Sequence, residues 1–127
     1  MSFLPEKDLD YLKGKELPFE EALDGSQKVL ILKSYPLDGA RFDAAQVDIL
    51  VMIPQGFPDI GPDMFYTFPW LRLRDKNCYP RAADQPLNFL GKTWQRWSRH
   101  SNDWRPGRDG IRTVLKRVEH AFESAEG

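Results

Sequence analysis

The chain has 127 residues with 41% hydrophobic and 29% charged side chains, proportions that fit one soluble domain with a core of its own. Its formal net charge of −1 excludes a global field that would draw it to nucleic acid or to a membrane surface, so electrostatic attraction must be local. The single cysteine, Cys78, excludes an internal disulfide, no apolar run is long enough to span a bilayer, and the opening residues lack a signal-peptide pattern, so a cytoplasmic location is expected.

Residues 5–13 predict a short helix, with Pro5 suited to a first turn, Glu6 and Asp8 early, and Gly14 as a stop. Leu9 and Leu12 give it only a thin apolar stripe, so it must lean on the rest of the domain. Residues 18–25 read as another turn or two of helix closed by Asp24 and Gly25. Residues 27–34 read as a strand, because Val29, Leu30, Ile31 and Leu32 form a β-prone run that Pro36, Asp38 and Gly39 then punctuate. Residues 45–54 carry the clearest strand signal. Val47, Ile49, Val51 and Ile53 alternate with Asp48, Leu50 and Met52, and Pro54 cannot donate to a ladder.

Residues 64–74 predict a third strand with an edge or a bulge at Pro69, Leu71 and Leu73 inward, and Arg72 and Arg74 toward water. Residues 75–91 have no sustained period and read as irregular, with room for a helical turn at 81–84. A connection of that length in a compact domain is usually functional or mobile. Residues 94–100 fit a short strand or a helical turn equally. Ile111, Val114, Leu115, Val118 and Phe122 lie on one face of a closing helix, which Asp109 is placed to cap. Helix, antiparallel strands, irregular connection and helix make an α+β domain. Ten prolines, most of them from Pro36 to Pro106, stiffen its middle.

The stretch 92–106 is the most unusual in chemistry. It holds Trp94, Trp97 and Trp104 with Arg96, Arg99 and Arg105, against one acid, Asp103. Each indole must bury a large ring and satisfy an N–H, whereas arginine is rarely fully buried unless paired. A segment that is both reads as the wall of a site.

Several stretches carry a family resemblance: 48–58 (Asp48 to Pro58), Pro62 to Tyr66, Trp70 to Leu73, and above all Trp94-Gln-Arg-Trp-Ser-Arg-His100 followed by Trp104-Arg-Pro106. Together they resemble the ubiquitin-conjugating-enzyme (UBC) superfamily, in its prokaryotic family E, over about residues 4 to 122. The resemblance implies a UBC-like fold: an N-terminal helix, an antiparallel β-meander of three to four strands, an irregular active-site segment and a C-terminal helix. It implies a bacterial ubiquitin-like pathway, with a ubiquitin-like modifier protein, an adenylating activating enzyme and a JAB-type peptidase as partners. No cofactor is expected. Conjugating enzymes carry the modifier on a cysteine, since a thioester is activated toward amines. Here the family's His-Pro-Asn motif is absent, and Arg96 and Trp97 stand about where the cysteine belongs.

Two residues are candidates for chemistry. Cys78 is the only thiol, beside Lys76 in the irregular segment. His100 ends the aromatic and basic run, where a neutral imidazole could serve as base or transient acyl carrier. Trp94, Arg96, Trp97, Arg99, Trp104 and Arg105 are the candidate binding residues. Their guanidiniums would hold a carboxylate or acidic patch of the modifier, or else lie over the indoles as structural lids. His120 reads as solvated on the polar face of the last helix. No metal-ligand spacing and no phosphate loop is present. Besides an enzyme of this pathway, a non-catalytic UBC-fold adaptor fits these residues. A single-strand nucleic-acid binder is a third reading, for its interleaved aromatics and arginines, though the near-zero charge argues against it. A plain structural domain with a tryptophan-rich core is the fourth.

Overall fold

The computed structural model describes residues 3–99 and 103–126. Helix α1 (Glu6–Gly14) precedes six strands, β1 (Phe19–Asp24), β2 (Gln27–Pro36), β3 (Gln46–Ile53), β4 (Phe65–Phe68), β5 (Gln85–Phe89) and β6 (Lys92–Trp97), and helix α2 (Ile111–Glu123) closes the chain. The strands form one antiparallel sheet in the order β1-β2-β3-β4-β6-β5. The α+β architecture is the one expected, with the β1–β4 meander extended to a six-stranded sheet by the β5–β6 hairpin, whose second strand lies beside β4. No helix of the described residues is long and apolar enough to cross a membrane.

Two segments differ from expectation. Residues 19–24 are a strand and not a helix, because they pair along their whole length with β2, from Phe19 opposite Leu32 to Asp24 opposite Gln27. Their glutamates, alanine and leucine favour helix locally, and the hairpin partner overrides that preference. Residues 85–89, expected to be irregular, form the edge strand β5. The two-residue loop Leu90-Gly91 joins it to β6 with φ of 51° and 76°, and positive φ at both loop residues is the mark of a tight hairpin. Pro86 is tolerated because only one side of an edge strand is paired. Residues 81–84 form no helix. The third predicted strand is cut to β4, which leaves the sheet at a cis Phe68–Pro69 bond. Beyond it Leu71 and Leu73 are nonetheless buried, as their spacing requires.

Alternation along the strands gives the sheet two apolar faces. On one, Leu30, Leu32, Val47, Ile49, Val51, Phe65 and Trp97 pack under Ile111, Val114, Leu115, Val118 and Phe122 of α2. On the other, Val29, Ile31, Leu50, Tyr66 and Trp94 form a second cluster flanked by Ala22, Met52, Phe68, Leu87 and Phe89. Among the described residues, no helix contributes to that cluster. Asp24, at the end of β1, accepts a hydrogen bond from the backbone N–H of Leu90 in the β5–β6 loop, which brings the two edges together at that point.

Candidate functional site

Once β6 is a strand, residues three apart fall on opposite faces, and Trp94 and Trp97 separate accordingly. Trp97 has no exposed surface. It stacks on Phe65 at 5.3 Å and meets Phe122 edge-on at 5.2 Å. Its N–H donates to Thr67 Oγ1. Trp94 is 1% exposed on the second face, beside Phe68 at 5.9 Å, and donates to the Phe89 carbonyl. Trp104 is half-buried: its N–H donates to the Pro58 carbonyl and its ring lies directly over Gly61. Of the indoles expected to form a binding wall, Trp94 and Trp97 have enclosed rings and use their N–H groups internally. Base stacking needs exposed ring faces, and neither provides one.

The arginines divide in the same way. Arg99 lies over the Trp97 ring at 5.2 Å and donates to the Ser98 carbonyl, and burial pushes its guanidinium below the ordinary arginine range. Arg105 is exposed and pairs with Asp109 at 3.3 Å. Arg96 points to the opposite face of the sheet from Trp97.

What does assemble is a groove along α2. Thr113, Lys116, Arg117, His120 and Ser124 of the helix and its end face Ser98, Arg99, Asp103, Arg105 and Asp109 across an open cavity of about 840 Å³. Four cationic side chains, Arg99, Arg105, Lys116 and Arg117, stand there against two carboxylates. Arg117 reaches Asp103 at 3.4 Å, donates to the Pro62 carbonyl, and lies 5.5 Å from the Trp104 ring. Lys116 and Arg99 have no carboxylate within ion-pair distance among the described residues, so the groove keeps an unneutralised positive field.

The groove's floor is set by Asp109, though not as a cap. The N-cap position of α2 is Gly110, and the first helical N–H, that of Ile111, donates to Asp8 Oδ1 of α1 at 3.1 Å. Asp109 instead accepts from the Arg105 backbone N–H at 2.7 Å and from the Thr113 hydroxyl at 3.1 Å. Those bonds, the Arg105 backbone first, hold its carboxyl below the usual carboxylate range.

Of the sequence candidates, Arg99 and Arg105 line the groove, and Trp104 supports it through Arg117. Cys78 does not line it. The thiol is half-buried against the main core, in a turn where the Leu73 N–H donates to the Cys78 carbonyl at 2.7 Å. His100 lies outside the described residues. His120, Lys116, Arg117 and Thr113 are the groove residues that sequence reasoning missed. Their only signal was a basic cluster on the polar face of α2, which has the same composition as a solvated face. Among the described residues, no group of three His, Cys, Asp or Glu side chains could hold a metal ion.

A family model described as Prokaryotic E2 family E matches residues 4–125. No curated protein and no solved structure matches the chain.

Proposed function

The chain belongs to the prokaryotic E2 family E, and from that premise we propose that it handles a ubiquitin-like modifier by non-covalent binding in the α2 groove. The modifier would present a carboxylate-bearing segment, such as its C-terminal tail, to Arg99, Lys116 and Arg105, with Arg117 and Thr113 alongside. An adenylating activating enzyme and a JAB-type peptidase are the other partners in this reading. The single observation that carries it is a cationic groove on a chain whose overall charge is slightly negative. Guanidinium groups bind carboxylates bidentately and hold them in orientation. Cys78 stands apart from the groove's lining, which favours the adaptor form of the pathway reading over a thioester on this thiol.

The test combines the chain with modifier, activating enzyme and ATP, and reads both binding and covalent adducts on non-reducing gels. Wild type and Cys78→Ser should bind the modifier equally without a thiol-labile adduct, and Arg99→Glu and Lys116→Glu should each weaken binding about tenfold or more. An adduct that reduction removes and Cys78→Ser abolishes would overturn the non-covalent reading. One that persists in Cys78→Ser but fails in His100→Ala would move the chemistry to the imidazole.

A further inference from the structure

Two guanidiniums in the α2 groove are backed by indoles, Arg99 by Trp97 and Arg117 by Trp104. Arg117 is also held by the backbone. One terminal nitrogen donates to the Pro62 carbonyl, and the Trp104 ring beside it is fixed in turn by a bond to the Pro58 carbonyl. Its side chain is 24% exposed, and the other terminal nitrogen reaches Asp103 at 3.4 Å. Holding a long cationic side chain in one geometry costs rotamer entropy, which binding ordinarily has to overcome. At Arg117 the fold has already fixed that geometry, so the groove contains a prepared donor for an anion. A carboxylate of the chain itself already occupies it.

The groove's two carboxylates differ in kind. Asp109 is buried and accepts from the Arg105 backbone N–H and the Thr113 hydroxyl, so it is built into the entry of α2. Asp103 lines the same cavity but its side chain is 86% exposed. Pairs that exposed contribute little to stability, so separating this one costs the fold little. Its effect falls instead on any other anion that approaches Arg117. The newcomer has to break the pair and then sit beside a like charge. From Arg117 to Ser124, the end of the groove's lining on α2, the helix rises about 10 Å, the span of about three residues of extended chain.

We propose, resting on the groove reading above, that Asp103 is an internal occupant of the anion position at Arg117, and that a ligand's chain-terminal carboxylate takes its place there. Arg117 is then the anchor of the ligand, and Asp103 is its competitor. The exchange replaces one charge-assisted hydrogen bond by another on the same terminal nitrogen. The displaced Asp103 remains next to the newcomer, so the native chain binds an anionic tail more weakly than its cations alone would allow. Ligand affinity is in this way set down by one exposed side chain that the fold does not need.

The experiment titrates the full chain, labelled with ¹⁵N, with N-acetyl-trialanine bearing a free C-terminal carboxylate, and in a second arm with its C-terminal amide. The acid should shift the amide signals of groove residues such as Ser98, Thr113 and Lys116, and the amide peptide should not. Asp103→Asn should tighten binding of the acid about threefold to tenfold. Asp103→Glu keeps the charge and should stay within about twofold of wild type. Two controls separate occupancy of Arg117 from a general loss of negative field. Glu123→Gln removes an exposed charge elsewhere on α2, and should gain less than about twofold because solvent and salt screen it. In an Arg117→Gln background, Asp103→Asn should likewise gain less than about twofold; Glu123→Gln serves alone if that background unfolds. No tightening in Asp103→Asn, or the same tightening in Glu123→Gln, overturns the proposal while carboxylate binding in the groove stands. If neither wild type nor Asp103→Asn distinguishes the acid from the amide, the groove selects no carboxylate, and the groove reading falls together with the proposal.

Discussion

Gln95 has no exposed surface, yet its amide makes four hydrogen bonds. It accepts from the Thr67 hydroxyl and the Leu71 N–H, and donates to the carbonyls of Leu71 and Ala83. One polar side chain thus ties β6 to the irregular chain on both sides of it, and so holds the strand from which Ser98 and Arg99 emerge. Gln95→Leu keeps the volume but strands several buried groups, each costing roughly 1–3 kcal/mol, so a loss of about 3 kcal/mol or more is expected in urea denaturation. Gly61 is constrained by contact instead: a Cβ there would lie 2.3 Å from the Trp104 ring carbons. Gly61→Ala should cost about 1–3 kcal/mol by the same measurement, as overpacking does. Asp109 sets an acid limit. Its carboxyl is held below the ordinary range, mainly by the Arg105 backbone N–H. The stability it contributes is complete above the unfolded carboxylate value and is lost as pH falls through the folded one. Melting temperatures followed downward from about pH 5 should fall less steeply in Asp109→Asn than in wild type.

At the scale of elements, the joint between α1 and α2 inverts a local rule. Serine at an N-cap ordinarily stabilises a helix by bonding its first N–H groups. Here the Ile111 N–H is already bonded by Asp8 of α1, and a Cβ on Gly110 would lie 2.5 Å from that same oxygen. Gly110→Ser should therefore destabilise the wild type but be neutral or stabilising in an Asp8→Ala background. The double-mutant cycle should give a coupling of roughly 0.5–3 kcal/mol, and simple additivity would refute the interhelix cap. This cap joins residues 103 positions apart, which is why sequence reading assigned the role to nearby Asp109. What was legible was whatever one element's own pattern encodes: the apolar stripe of α2, the alternation of β3, the paired leucines after Pro69. β1 was hidden because its helix-favouring residues become a strand only through pairing, although Asp24-Gly25 was already a hairpin signal. The tryptophans misled for a related reason. Composition grouped Trp94 with Trp97, and a strand's two-residue period sends them to different cores.

For the whole molecule, charge is distributed rather than abundant. The net value is −1, yet the α2 groove concentrates cations around Arg99 and Lys116 while Trp97, under Arg99, serves the core. Variants must be read accordingly. Trp97→Ala should cost about 3–5 kcal/mol as a large core truncation, so any binding it loses reflects folding, measurable as a lowered denaturation midpoint. Lys116 is exposed and makes no ion pair with the groove's carboxylates. Its reversal should leave stability within about 0.5 kcal/mol, as surface changes generally do. If the groove receives an anionic segment of the modifier, its field acts mainly on encounter. Charge placed at the rim of an interface changes the association rate and its salt dependence more than the dissociation rate. Stopped-flow association with the modifier should therefore slow as ionic strength rises, with a shallower slope in Lys116→Glu and Arg99→Glu. Arg96→Gln should keep the wild-type slope, since its guanidinium faces the other side of the sheet. A slope that neither groove variant changes would leave the groove without a role in recognition, whatever the affinity.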